Sequence, residues 1–228
     1  MEILICGTIH VLFMKEQTMI DILIADDHSV VRAGLKQILS DTPGMTVVDE
    51  ASNGVEVLDK IRKKDYSVVV LDIAMPGKNG LDVLKEIKNE RPGLPVLILS
   101  MYPEDQYAIR VLKSGAAGYM TKESAPEELV TALRTVANGK KYISPSIAEK
   151  LAYNLDYDRK KEPHEMLSDR EYQVLCFIAE GKTVTQIAEE LFLSVKTVST
   201  YRSRILEKLQ LKNNAELASY AIKNHLIH

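Results

Sequence analysis

Cysteine is almost missing from this chain: 2 residues in 228, Cys6 and Cys176, cannot build a disulfide scaffold, and neither stands in a cluster with metal-ligand spacing. Long hydrophobic runs are missing as well. No stretch reaches the roughly 18 apolar residues that a membrane-spanning helix needs, although residues 3–14 (ILICGTIHVLFM) are mostly apolar. Glu2 stands where a signal peptide carries positive charge, and no small-residue cleavage site follows. Residues 1–18 are therefore expected to lie outside the working fold, with translation starting at Met14 or Met19, and a reducing cytoplasm without a membrane partner is expected. Glycine (11) and proline (8) are too few for collagen-like or low-complexity chains, and 46% hydrophobic against 27% charged residues suits an ordinary folded protein. No P-loop, GxSxG or HExxH motif suggests an enzyme of those classes. A general excess of positive charge is also lacking, the net charge being -3. That average hides an asymmetry: residues 19–138 carry 14 Lys+Arg against 18 Asp+Glu, whereas residues 195–212 hold Lys196, Arg202, Arg204, Lys208 and Lys212 against Glu207 alone.

At 228 residues the chain is long enough for two small domains of roughly 100 residues each. From Ile20 onward, short β-branched runs at 20–25, 46–51, 67–71, 95–99 and 118–120 alternate with helical segments, the pattern of βαβ units around a parallel sheet. Residues 30–39 place Val31, Leu35, Ile38 and Leu39 on one stripe, and residues 81–87 group Leu81, Leu84 and Ile87. Five strands and five helices are expected over 19–138. The charged stretch LDYDRKKE within 139–162 reads as a linker, with a helix expected at 146–155, and 163–228 is helical in pattern throughout.

Chemistry in an open α/β sheet usually sits at the carboxyl ends of its strands. Asp26 and Asp27 follow the first strand, Asp72 ends the third, Ser100 the fourth, and Lys122 lies just past the fifth. Three acids in one crevice repel one another unless a hard cation neutralises them, and Mg²⁺ with oxygen ligands suits such a set. Asp72 could then attack a phosphoryl group, with Lys122 as a point charge and Ser100 as a donor to the phosphoryl oxygens. Taken singly, each residue has a blander explanation: Asp pairs cap helices, Ser100 caps turns, and lysines lie on surfaces. The joint placement is what is specific.

In order and spacing, IADDH, LDIAMPGKNGLDVL, LILS and GAAGYMTK resemble the receiver domain of bacterial two-component response regulators, over residues 19–138. The resemblance implies a flavodoxin-like fold with strand order 2-1-3-4-5, Asp72 as phosphoacceptor, and Mg²⁺ held by Asp27, Asp72 and the Ala74 carbonyl, with Asp26 assisting through water. It also implies Ser100 and Tyr119 as a switch pair; from the residues alone, Tyr119 is merely a strand aromatic.

In the second half, Ser168 and Glu171 form a capping box ahead of a helix that Gly181 stops. Two helices at 183–191 and 195–209 then flank the short turn Phe192-Leu193-Ser194, with Ser194 as cap, as a helix-turn-helix requires. Ser199, Thr200 and Ser203 lie opposite Val198 and Ile205, so the polar face could read bases while Lys196, Arg202, Arg204 and Lys208 hold phosphates; a solvated helix face is the plain alternative. Residues 167–227 resemble the LuxR-type helix-turn-helix of the NarL/FixJ class of response regulators, which adds Thr197 and Tyr201 to the expected DNA-facing set, Tyr201 standing where many members carry His. Cys176 reads as a core thiol.

The whole is expected to be a phosphorylation-controlled DNA-binding transcriptional regulator rather than a turnover enzyme. Its partners would be a histidine kinase and promoter DNA, and phosphorylation would favour a homodimer. The receiver is expected to cover the recognition helix in one state and release it in the other. Two rivals stand beside this reading. A phosphohydrolase of the haloacid dehalogenase type would carry a second Asp where Ala74 stands, and a receiver without phosphate control would serve only to dimerise.

Overall fold

Alternation at a period of two decides how the sheet is built. The computed structural model describes residues 19–102, 104–124, 126–145, 147–149, 162–224 and 226–227. Strands β1 (Ile20–Ala25), β2 (Met45–Ala51), β3 (Val68–Asp72), β4 (Val96–Ser100) and β5 (Gly118–Thr121) form one parallel sheet in the order β2-β1-β3-β4-β5. Ile22, Ile24, Val68, Val70, Leu97 and Leu99 point to one face, where α1 (Ser29–Ser40) and α5 (Pro126–Ala137) cover them with Leu35, Leu39, Leu129 and Leu133. Leu23, Val69, Leu71, Val96 and Ile98 point to the other, under α2 (Gly54–Lys63), α3 (Gly80–Glu90) and α4 (Glu104–Lys113). Both faces are dry, which is why the strands read as unbroken apolar runs.

Parity carries on to the strand ends. Ser100 continues the row of Val96 and Ile98, and Tyr119 lies in the same core, so both belong to the α2–α4 face. The expected strands thus recur with ends shifted by a residue or so, and Asp72 and Ser100 are paired residues that end β3 and β4, as expected.

The second domain begins with a 3₁₀ turn (Pro163–Met166) and continues as α6 (Asp169–Ala179), α7 (Val184–Glu190), α8 (Val195–Leu209) and α9 (Asn214–Lys223). The expected capping box is present: Ser168 Oγ accepts from Glu171 N at 3.3 Å and Glu171 Oε2 accepts from Ser168 N at 2.7 Å. Ser194 caps α8, accepting from Thr197 N at 3.0 Å, after a turn in which Phe192 takes φ +54°. Helix α9 was not singled out in the sequence, although Asn213, with Glu216 three residues on, marks its start by accepting Glu216 N at 3.0 Å. The leader at 1–18 and most of the helix expected at 146–155 fall outside the described residues, among which no helix is long and apolar enough to cross a membrane.

Candidate functional site

The loop after β1 and the end of β3 bring the acids together. One side-chain oxygen each of Asp26, Asp27 and Asp72 and a ring nitrogen of His28 lie within 4.8 Å of one another. Lys122 reaches in from the end of β5, its Nζ 2.6 Å from Asp26 Oδ2 and 2.8 Å from Asp72 Oδ2. Asp26 and Asp72 are each 1% exposed. Burial holds the Asp72 carboxyl above the usual carboxylate range, against the pull of Lys122, and the Asp26 charge adds to the rise. For Lys122, burial favours the neutral amine, but the charges of Asp72 and Asp26 outweigh it and raise its pKa, so the ammonium is kept.

One ammonium against three carboxylates leaves the pocket net negative. Asp26 Oδ2 and Asp27 Oδ1 are buried without a well-formed hydrogen bond, despite Lys122 at 2.6 Å and His28 Nδ1 at 2.9 Å respectively. Under-coordinated carboxylate oxygens of three neighbouring acids are what a hard divalent cation satisfies, so Asp26, Asp27 and Asp72 fit Mg²⁺. The Ala74 amide donates to Asp72 Oδ1 at 3.1 Å and fixes that carboxylate's plane.

The surrounding loops are held by residues that sequence reasoning did not single out. A Cβ on Gly80 would come 2.3 Å from the Asp72 carbonyl oxygen and 2.6 Å from Ile73 Cα, so only glycine lets α3 start directly against the Asp72 strand end. Arg32, on α1, donates to the Asp26 carbonyl at 2.7 Å and to Glu50 at 3.1 Å, clamping the acidic loop from behind. His28 donates its amide to Asp26 Oδ1 at 2.8 Å. For Gly80 the signal was the Gly-Lys-Asn-Gly run; Arg32 and His28 carried none that spacing could expose.

Ser100 and Tyr119 meet on one residue. Ser100 Oγ accepts the Tyr102 amide at 3.2 Å, and Tyr119 Oη donates to the Tyr102 carbonyl at 2.6 Å, all of it buried. Tyr102 itself was not anticipated.

On α8 the expected split of faces is seen: Val198, Ile205 and Leu209 are buried, whereas Lys196, Ser199, Thr200, Ser203 and Arg204 are exposed. A shallow hollow is lined by Lys196, Thr197, Thr200, Tyr201 and Arg204. The basic residues are not equivalent. Lys208 is 2.6 Å from Glu171 of the capping box, whose carboxyl is held below its ordinary range because Lys208 and the Ser168 amide outweigh burial. Arg202 Nε donates to Asn214 Oδ1 at 2.6 Å. Among the described residues, Lys196 and Arg204 are engaged by no such partner. Tyr201 is half-buried, its ring against the core.

Among the described residues, α6 and the 3₁₀ turn before it carry the contacts between the two domains. Tyr102 stacks on Tyr107 with centroids 4.7 Å apart and meets Phe177 edge-on at 5.6 Å; Tyr107 meets Tyr172 at 5.6 Å. Arg110 lies 4.6 Å over the Tyr172 ring, is 3.2 Å from Asp169 and donates to the Leu167 carbonyl at 2.8 Å. Lys85 reaches Asp169 at 2.6 Å, and Gln173 Nε2 donates to Tyr102 Oη at 2.8 Å. Cys176 is buried here as expected of a core thiol, and burial pushes its pKa up to about 12. In this arrangement the polar face of α8 stays open to solvent.

Comparison with known proteins agrees with this architecture. Residues 22–134 match the family described as response regulator receiver domain, and residues 165–221 match bacterial regulatory proteins of the luxR family. Response regulator UvrY of Escherichia coli K12 is 38% identical over 209 residues, covering 91% of this chain and 96% of UvrY. Oxygen regulatory protein NreC of Staphylococcus carnosus is 40% identical over 213 residues, covering 90% of this chain and 98% of NreC. Among solved structures, RcsB of Salmonella enterica serovar Typhimurium bound to promoter rprA in the presence of phosphomimetic BeF₃⁻ superposes with a TM-score of 0.61 at 29% identity, over 89% of this chain and 98% of that one. The fold and site define a two-domain DNA-binding regulator. The chain belongs to the response regulators that join a receiver domain to a LuxR-family helix-turn-helix.

Proposed function

We propose that this regulator binds promoter DNA under the control of phosphorylation at Asp72. The observation that carries the reading is Lys122 Nζ, 2.6 and 2.8 Å from Asp26 and Asp72 in a buried pocket of three carboxylates. A phosphohistidine on a partner kinase is the donor: an Asp72 carboxylate oxygen attacks phosphorus, the P–N bond breaks, and the histidine nitrogen departs with the electron pair. Asp26, Asp27, Asp72 and the Ala74 carbonyl would hold Mg²⁺, which when bound offsets negative charge building on the phosphoryl oxygens. Lys122 gives the phosphoryl oxygens a fixed counter-charge, the Ser100 hydroxyl donates to them, and the buried Tyr119 ring completes the switch. The pocket turns over no substrate; its product is a conformational state of a cytoplasmic protein.

Within the proposed limits of 19–138 for the receiver, 139–162 for the linker and 163–228 for the DNA-binding domain, the second domain reads DNA with α8. Ser199, Thr200 and Ser203, with Thr197 and Tyr201 beside them, are within reach of base edges, while Lys196 and Arg204 supply positive charge directly to the backbone and Arg202 and Lys208, engaged by Asn214 and Glu171, add to the charge of that face from further off. The RcsB complex with promoter DNA supports this use of the domain. Phosphorylation shifts the population toward a homodimer that spans two half-sites. The test is Mg²⁺-dependent labelling by a small phosphodonor, which Asp72→Asn should abolish; a variant labelled as fast as wild type would remove Asp72 from the role.

A further inference from the structure

Tyr102 is bonded on three sides, and each bond leads to a different part of the protein. Its amide donates to Ser100 Oγ at 3.2 Å, its carbonyl accepts from Tyr119 Oη at 2.6 Å, and its own hydroxyl accepts from Gln173 Nε2 of α6 at 2.8 Å. Tyr102 is 8% exposed and Gln173 1%, so the last bond is made away from water, where leaving one partner unpaired is costly. Stacking on Tyr107 and edge contact with Phe177 fix the Tyr102 ring between the domains.

We propose that Tyr102 is a positioning residue for the phosphoryl-accepting site, and that Gln173 of the DNA-binding domain sets its position and thereby restrains phosphorylation of Asp72. This rests on Asp72 being the acceptor. The docked domain holds Tyr102 where its amide fixes the Ser100 oxygen and its carbonyl takes the Tyr119 hydroxyl proton. A phosphoryl group on Asp72 needs the Ser100 hydroxyl turned toward it, so whatever anchors Ser100 Oγ on the Tyr102 amide works against the phosphorylated arrangement. Coupling of this kind is reciprocal: phosphorylation must loosen the Tyr102–Gln173 contact by the same factor by which that contact disfavours the phosphorylated state at equilibrium. The receiver then controls its partner domain by releasing α6, which fits an α8 that is already open to solvent in the docked state.

The experiment compares Mg²⁺-dependent labelling of the full chain by acetyl phosphate in wild type, Tyr102→Phe, Gln173→Met and the double variant, with Asp72→Asn as blank. Tyr102→Phe keeps the ring, both backbone bonds and the stacking, and removes only the hydroxyl. It is the cleaner single change, because Gln173 Oε1 also accepts from the buried Arg170 at 2.8 Å. Labelling should run roughly threefold to tenfold faster in each single variant, the range one buried neutral hydrogen bond spans, and the double variant should be no faster than Gln173→Met alone. A merely structural Tyr102 hydroxyl would lower the melting temperature and leave the labelling rate where it was; that result, or additive effects in the double variant, would overturn the proposal. Absence of label in wild type as well would mean that the acceptor assignment has failed, and the coupling falls with it.

Discussion

At the carboxyl ends of β1 and β3 the charges are buried and matched to one another, with Asp26 and Asp72 each 1% exposed and both on Lys122; on α8 they are exposed, and Lys196 and Arg204 face solvent. The buried set must be right to the ångström, because an unpaired charge out of water costs several kcal/mol. The exposed set is tolerant, because each cation is already hydrated and the partner proposed for it is a repeating phosphate backbone. The difference explains why residue roles can be assigned one by one in the receiver, whereas on α8 only a face can be assigned.

Replacing Asp72 by Asn should have the largest effect, removing labelling altogether while leaving the fold in place. Lys122→Met comes next. It strands Asp26 and Asp72 without their counter-charge and should cost about 3 kcal/mol of stability in urea unfolding without Mg²⁺. Added Mg²⁺ should restore part of that loss, and unchanged stability would mean the pocket is not electrostatically closed.

On α8 the comparison is sharpened by treating the basic residues unequally. Lys196→Ala and Arg204→Ala should each weaken binding to all DNA sequences and lower the slope of log affinity against log salt by about one. Lys208→Ala, whose ammonium sits 2.6 Å from Glu171, should leave the slope nearly unchanged and instead lower the stability of the second domain. Equal slopes for all three variants would erase the distinction between free and engaged cations. Ser199→Ala and Thr200→Ala should change which base is preferred, by about 1 to 3 kcal/mol at one position, with little change in affinity for random DNA.

The smallest effect should come from His164, which lies beside Tyr172 and Tyr220 of the second domain, its Nδ1 3.0 Å from Tyr220 Oη. Burial pushes its pKa below the ordinary value, against the nearby Glu162 and Glu165. A base whose folded pKa is depressed contributes stability that is full above its unfolded pKa, near 6.5, and fades as pH falls below it. Thermal unfolding followed from pH 7.5 to 5 should show this slight loss in wild type and not in His164→Phe.

Much of the receiver was legible because a parallel sheet buried on both faces leaves its signature in continuous apolar runs such as 67–71, and because the strand-end acids stand next to those runs. The helix-turn-helix was legible from its caps, Ser168 with Glu171 and Ser194. What escaped were contacts between residues far apart in sequence. Tyr102 and Gln173 are 71 positions apart, and nothing local to either marks the bond. Arg32 on Glu50, 18 positions on, and Lys208 on Glu171, 37 positions back, are of the same kind, since composition can show that a residue is basic but not what it faces. The docking of α6 likewise follows from which faces fit, and the aromatic residues at that contact are scattered from Tyr102 to Phe177.

The central claim is that Asp72 governs what α8 binds. It is tested most directly by recovering fragmented genomic DNA on the purified full-length protein with and without Mg²⁺ plus acetyl phosphate, alongside Asp72→Asn, and sequencing what is retained. The account predicts a set of specific fragments enriched with phosphorylated wild type and absent with the variant; equal enrichment in all samples would contradict it.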